Sequence, residues 1–114
     1  MLLKDKLISL SKIFTDGFTI YYNNGNINQS HRDTGYYVSI NNILWINKKG
    51  FIHVNNGDIP NTCFIGGWLD KNTGNYYIDI NIVEINLFTA LFMAKKYNQK
   101  AIWDIKNNKE IKVK

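Results

Sequence analysis

Apolar residues first recur along the chain at a 4-3-4 spacing, as Leu3, Leu7, Leu10 and Phe14. That is the seam of an amphipathic helix. Gly17 is placed to end it, because glycine takes the left-handed conformation at low cost. From residue 18 the period falls to two. Phe18, Ile20 and Tyr22 alternate with Thr19 and Tyr21, which predicts a half-buried strand. Residues 23–35 are polar and contain Asn24-Gly25, a turn signal, so they read as the longest loop. Tyr36, Val38 and Ile40 then alternate with Tyr37 and Ser39 as a second strand. Residues 43–46 and 51–54 flank Asn47-Lys48-Lys49-Gly50, the pattern of a hairpin with a short loop. Asn56-Gly57 and Pro60 break the chain, and residues 63–69 and 75–80 flank a second turn at 70–74. Gly66-Gly67 within that hairpin marks a bulge or a close backbone approach.

The helical period returns between about residue 84 or 86 and residue 97. Leu87, Leu91 and Ala94 share one face there, and Phe88 and Phe92 are expected to widen it. Asn86 is a candidate N-cap, and Lys95 and Lys96 complement the helix dipole in the last turn. Residues 101–105 read as a strand, Asn107-Asn108 as a turn and 111–113 as a final edge strand. Such an order predicts an α+β fold: mainly an antiparallel sheet, with an amphipathic helix from the C-terminal half packed on it and a short N-terminal helix.

The 114 residues form one expected domain, 1–114, and 45% of them are hydrophobic. A chain of this size can bury a core without disulfides or metals, which become necessary below about 40 residues. Cys63 is the single cysteine and has no internal partner. Lys4, Lys6 and Lys12 interrupt the apolar N-terminal stretch, unlike the apolar core of a signal peptide. Both features predict a cytoplasmic protein. No window approaches the roughly 18 apolar residues of a membrane span, so no membrane partner is expected.

Charge changes the picture at the C-terminal end. Residues 1–94 carry seven basic and seven acidic groups, whereas 95–114 carry seven lysines against Asp104 and Glu110, so the whole net charge of +5 lies there. Lys95, Lys96, Lys100, Lys106, Lys109 and Lys112 therefore form a candidate surface for an acidic protein or for nucleic acid. The plainer reading is a solvated face whose lysines guard an edge strand.

Candidate chemistry is sparse. His31 and Arg32 lie beside Asp33 in the polar loop, residue types that an RNA-cleaving acid–base site uses. His53 reads as a strand-face residue and Cys63 as a structural thiol, since no helix N-terminus follows it to stabilise a thiolate. Asp79 and Asp104 could lie on adjacent strands, a register that the sequence does not fix, but no ligand cluster has metal-binding spacing, and no phosphate-binding glycine loop precedes a helix. No metal and no cofactor are expected.

Aromatic residues are the surplus, at 14%. Tyr21-Tyr22, Tyr36-Tyr37 and Tyr76-Tyr77 are pairs in strands, so each pair sends one ring to the core and one away. Tyr21, Tyr37 and Tyr77 are the candidate binding rings, for a protein surface or for stacked bases, with burial in a covered core as the alternative.

Several stretches resemble a group of small bacteriophage and prophage proteins of unassigned activity. These are Gly17-Phe18-Thr19-Ile20, Gly35-Tyr36-Tyr37-Val38-Ser39, Gly66-Gly67-Trp68-Leu69-Asp70, Thr73-Gly74, Tyr77-Ile78-Asp79, then Ala90, Ala94, and Gln99 with Ala101-Ile102-Trp103-Asp104. The likeness covers about residues 16–110 and departs between 41 and 62, where the similar proteins carry a longer, more helical insert. It implies a phage origin and no catalytic residue. The expected function is that of a phage accessory protein that binds a host protein, such as a nuclease or nucleoprotein complex of a defence or nucleic-acid-processing system. An RNA- or nucleotide-directed protein using His31 and Arg32, and a virion component, are the alternatives.

Overall fold

The computed structural model describes residues 2–113. Its elements are α1 (Leu3–Ile13), β1 (Gly17–Asn23), β2 (Asn26–Gln29), β3 (Tyr36–Ile46), β4 (Ile52–Val54), β5 (Thr62–Leu69), β6 (Tyr76–Glu84), α2 (Leu87–Lys96), β7 (Ala101–Asp104) and β8 (Lys109–Lys112). The fold is α+β. All strands join one eight-stranded sheet in the order β2-β1-β5-β6-β3-β7-β8, with β4 pairing β3 beside this path. Every pairing is antiparallel. Four consecutive hairpins supply the strands, and α2 spans the connection from β6 to β7.

Both helices cover the same face of the sheet. Leu7 of α1 is fully buried against Ile20, Leu44, Ile65, Tyr76 and Ile78. Ala90 and Ala94 of α2 are buried against Val38 and Ile102. Val38 pairs with Ile82 and Leu44 with Ile78, and these β6 residues are an even number apart, so the two clusters share a side. Tyr76 lies on that side too, and its hydroxyl donates to the Phe14 carbonyl at 2.6 Å, tying the end of α1 to β6.

Four local features differ from the sequence-based expectation. Helix α1 ends at Ile13, where the Phe14 N–H returns to the Leu10 carbonyl at 2.8 Å. Gly17 instead opens β1, with φ at 152°, and a Cβ there would stand 2.6 Å from the Gly67 carbonyl oxygen. Residues 23–35 are not all loop: Asn24 and Gly25 both take positive φ, a hairpin turn that returns the chain as β2.

The second and third apolar runs form one strand of 11 residues, β3, whose register against β6 shifts between Ser39 and Asn41 and again between Asn42 and Leu44. Each bulge inserts an extra residue. Ile43 and Leu44, though adjacent, are both buried in the α1 cluster. Ser39, Asn42 and Trp45 consequently share the other face at a spacing of three.

The largest departure is in α2. Its buried face is made by Ala90 and Ala94, while Phe88 and Phe92 point to solvent. Small side chains let the helix approach the sheet closely, and a phenylalanine at either alanine position has no room. Asn86 does cap the helix, accepting the Thr89 N–H at 3.2 Å.

Candidate functional site

The helix-free face of the sheet follows from register. Trp68 pairs with Tyr77, Tyr77 with Trp45, and Trp45 with His53. Directly paired residues project to the same side, so one ring from each of β5, β6, β3 and β4 stands in a row. The rings stack on one another: Trp68 on Tyr77 at 4.9 Å and 25°, Tyr77 on Trp45 at 6.2 Å and 30°, and Trp45 on His53 at 3.9 Å and 10°. Faces inside the row are therefore taken. Free ring faces remain at its two ends, on Trp68 and on His53. Trp68 pairs with Gly17 on its other side, which has no side chain to cover the indole.

A polar strip runs beside this ladder. Asp79 is buried between Gly66 and Asn42, its partners on β5 and β3. Asn42 Nδ2 donates to Asp79 Oδ1 at 2.7 Å, and Trp68 Nε1 donates to Oδ2 at 3.2 Å. Asn55 Nδ2 donates in turn to Asn42 Oδ1 at 2.5 Å. Ser39 Oγ donates to Asn81 Oδ1 at 2.9 Å, and Asn81 lies over Gly66, in space that a side chain at residue 66 would fill. Burial pushes the Asp79 carboxyl above its ordinary range, against the opposing pull of its neutral donors. These bonds fix the Trp68 ring and engage both oxygens of a buried carboxylate, an arrangement that positions rings.

The sequence-derived candidates separate in space. Tyr21, Tyr37 and Tyr77 do lie on the helix-free face, with their pair-mates Tyr22, Tyr36 and Tyr76 on the other. Tyr37 is only 7% exposed: it packs on Phe64 at 5.7 Å, and its hydroxyl contacts Ser30 Oγ from the loop above. Tyr21 leans on the same Phe64 at 5.1 Å. Tyr77 is held between Trp45 and Trp68. The three rings thus form no common platform for bases.

His31, Arg32 and Asp33 are exposed on the loop between β2 and β3, and they line neither of the two cavities described, of about 410 and 310 Å³. His53 and Cys63 lie on opposite faces, since Cys63 pairs with Tyr22 on the helix side. Burial raises the Cys63 thiol pKa, away from thiolate chemistry.

Asp79 and Asp104 are not neighbours: β3 separates their strands, and Asp104 pairs with Tyr36 on the helix side. There it closes the β7–β8 turn, accepting Asn107 Nδ2 at 2.7 Å, which holds its carboxyl below the usual range. Among the described residues, no group of three or more His, Cys, Asp and Glu side chains is placed to hold a metal ion, and no helix is long and apolar enough to cross a membrane.

Lys95, Lys96, Lys100, Lys106, Lys109 and Lys112 are all exposed, on the last turn of α2 and on the β7–β8 hairpin that follows. They share that region with three strongly exposed large apolar side chains. Phe88 is 81% exposed and Phe92 63%, one helical turn apart, with Ile85 beside the helix start. Lys95 and Lys96 sit three and four residues beyond Phe92, on its side of the helix, and Lys96 Nζ lies 5.7 Å from the Tyr97 ring centroid. Sequence reasoning had assigned Phe88 and Phe92 to the core. The signal that finds them is Ala90 and Ala94, a small-residue pair four apart that marks the packed side and turns the phenylalanines outward. The chain matches no family model, no curated protein and no solved structure, so its function has to be read from these two surfaces.

Proposed function

We propose that this protein works by binding a larger, acidic protein through the outward face of α2, with Phe88 and Phe92 as anchors and the lysines of residues 95–112 as the steering charge. The observation that carries this reading is the exposure of two aromatic rings, one turn apart, on the helix that begins the lysine-rich region. Burying a phenylalanine is worth about 1.5–3 kcal/mol, and aromatic anchors inside a charged rim are the usual composition of an interface hot spot. A helix presenting apolar rings followed by ammonium groups fits a groove lined with apolar residues and edged by carboxylates. The helix-free sheet face is a weaker candidate, because its rings satisfy one another. In keeping with the resemblance to small phage proteins, the function is that of an accessory protein which occupies a working surface of a host protein, a defence factor or a nucleic-acid-processing enzyme.

Affinity capture from host lysate, with the wild type beside a Phe88→Ala/Phe92→Ala double variant, tests this. A stoichiometric protein partner is expected with the wild type, weakened by salt and lost in the variant, whose thermal stability should be unchanged. A partner retained by the double variant, or none at all, refutes the reading. Capture of nucleic acid, released steeply by salt through the C-terminal lysines, would replace it with nucleic-acid binding.

A further inference from the structure

The sheet has three free borders, and they are not equally defended. β2 exposes mainly asparagine and glutamine, and β8 carries Lys109, Glu110 and Lys112. Charges and lysines on a border are the common defence against strand addition. The outer border of β4 has none: its residues are Ile52, His53 and Val54, all exposed, with Ile52 at 46% and Val54 at 47%.

Backbone parity shows what that border offers. Asn47 N–H donates to the Phe51 carbonyl at 2.9 Å and Asn55 N–H to the Ile43 carbonyl at 3.0 Å, so residues 51 and 55 turn their polar groups toward β3. Alternation then turns the N–H and C=O of Ile52 and Val54 outward.

We infer that β4 is a self-pairing edge, through which two copies of this chain join antiparallel about a two-fold axis at His53. In that register Ile52 lies opposite Val54 of the second copy, and the outward N–H and C=O groups of each meet those of the other. Both side chains project to the helix side, since Ile52 pairs with Ile46 and Val54 with Leu44. The new neighbours are therefore β-branched apolar pairs, a favoured cross-strand combination. On the opposite face, the inner side of the His53 ring is covered by Trp45, and its outer side meets the second His53. The two ring ladders then run on as one.

Charge selects the occupant. The chain carries +5 overall, so two copies repel wherever lysines meet, as they would across β8, whereas the residues of β4 bring no permanent charge into contact with their own copy. β2 is equally uncharged but polar, and gains no apolar burial. An isologous contact of this kind closes after two chains and does not propagate.

The test is sedimentation equilibrium of the full chain from micromolar to millimolar concentration. The mass is expected to rise from one chain toward two. Val54→Pro removes an outward N–H that no bond within the monomer uses, and should hold the mass at one chain with an unchanged circular dichroism spectrum. Glu110→Pro makes the matching change on β8 and should leave the dimer intact. As a second readout, His53→Cys in a Cys63→Ser background should cross-link across the axis on mild oxidation. Directly opposed residues that share no backbone bond place their Cα atoms about 4.5 Å apart, within disulfide reach. A wild type that stays monomeric throughout overturns the inference. So does a Val54→Pro dimer, or a failure of the cysteine at residue 53 to cross-link. Loss of the dimer in Glu110→Pro alone moves the interface to β8 and overturns it as well.

Discussion

Asp79→Asn tests the polar strip through the pH dependence of stability. The native carboxylate is buried and is met by the neutral donors Asn42 Nδ2, at 2.7 Å, and Trp68 Nε1, at 3.2 Å. Desolvation raises its pKa above the ordinary 3.8, and the hydrogen bonds recover only part of the cost. A raised acid pKa means that the native protein holds this proton more tightly than the unfolded chain does. Between 3.8 and the native value the folded state binds more protons, so stability falls as pH rises through that interval. The contribution is greatest below the unfolded pKa, and each unit of upward displacement is worth about 1.4 kcal/mol.

Asparagine does not titrate and lacks this slope. It also converts one acceptor oxygen into a donor, so either Asn42 or Trp68 loses its partner, at a cost of about 1–3 kcal/mol at every pH. Urea unfolding of both proteins from about pH 4 to about pH 7 separates the two effects. The wild type should exceed the variant most at the acidic end, and the difference should shrink toward neutrality. A difference that stays flat, or grows with pH, would mean that the donors hold the carboxylate ionised and that the burial argument is wrong.

Three further outcomes follow from the packing. Leu44→Ala empties a fully buried position between α1 and the sheet and should cost about 2–5 kcal/mol in chemical denaturation. Gly66→Ala drives a methyl group into Asn81 Nδ2 and should cost about 1–3 kcal/mol, with Asn81→Ala in the same chain recovering part of the loss. Asn86→Ala removes the oxygen that accepts the Thr89 N–H and should lower stability by about 1 kcal/mol, with little change in the helical signal of the folded state.

Turn chemistry made much of the fold legible. Asn47-Lys48-Lys49-Gly50 and the stretch from Asp70 to Gly74 placed two hairpins, and Asn86 with Lys95 and Lys96 bracketed α2 within a residue or two. What escaped were features that depend on register. β3 looked like two strands because its bulges replace the two-residue rhythm with a three-residue one at Ser39, Asn42 and Trp45. β2 was invisible because Asn26-Ile27-Asn28-Gln29 has little intrinsic preference for a strand. Trp68 and Asp79 come together only because Leu69 pairs with Tyr76; a slip of one residue would send them to opposite faces. Tyr37 was a candidate anchor by alternation, but no local pattern says that Ser30 folds over it. In α2 the period and two of the three residues of the expected face hold, since Ala94 is buried and Leu91 packs beside it, but Phe88 and Phe92 turn outward because bulk suggests burial where close approach requires alanine.

Beneath its helices the sheet carries two hydrophobic clusters. The end of β3 near Leu44 belongs to α1, and the end near Val38 belongs to α2. Cooperative units of a folded chain tend to follow such divisions. The second unit is the smaller, with Val38, Ile102, Ala90 and Ala94 at its centre and Leu91 and Met93 of α2 packed against them. The two outward phenylalanines therefore stand on a helix seated across β3, β6 and β7 at once, so a pull on either ring is carried by the sheet and not by a single strand.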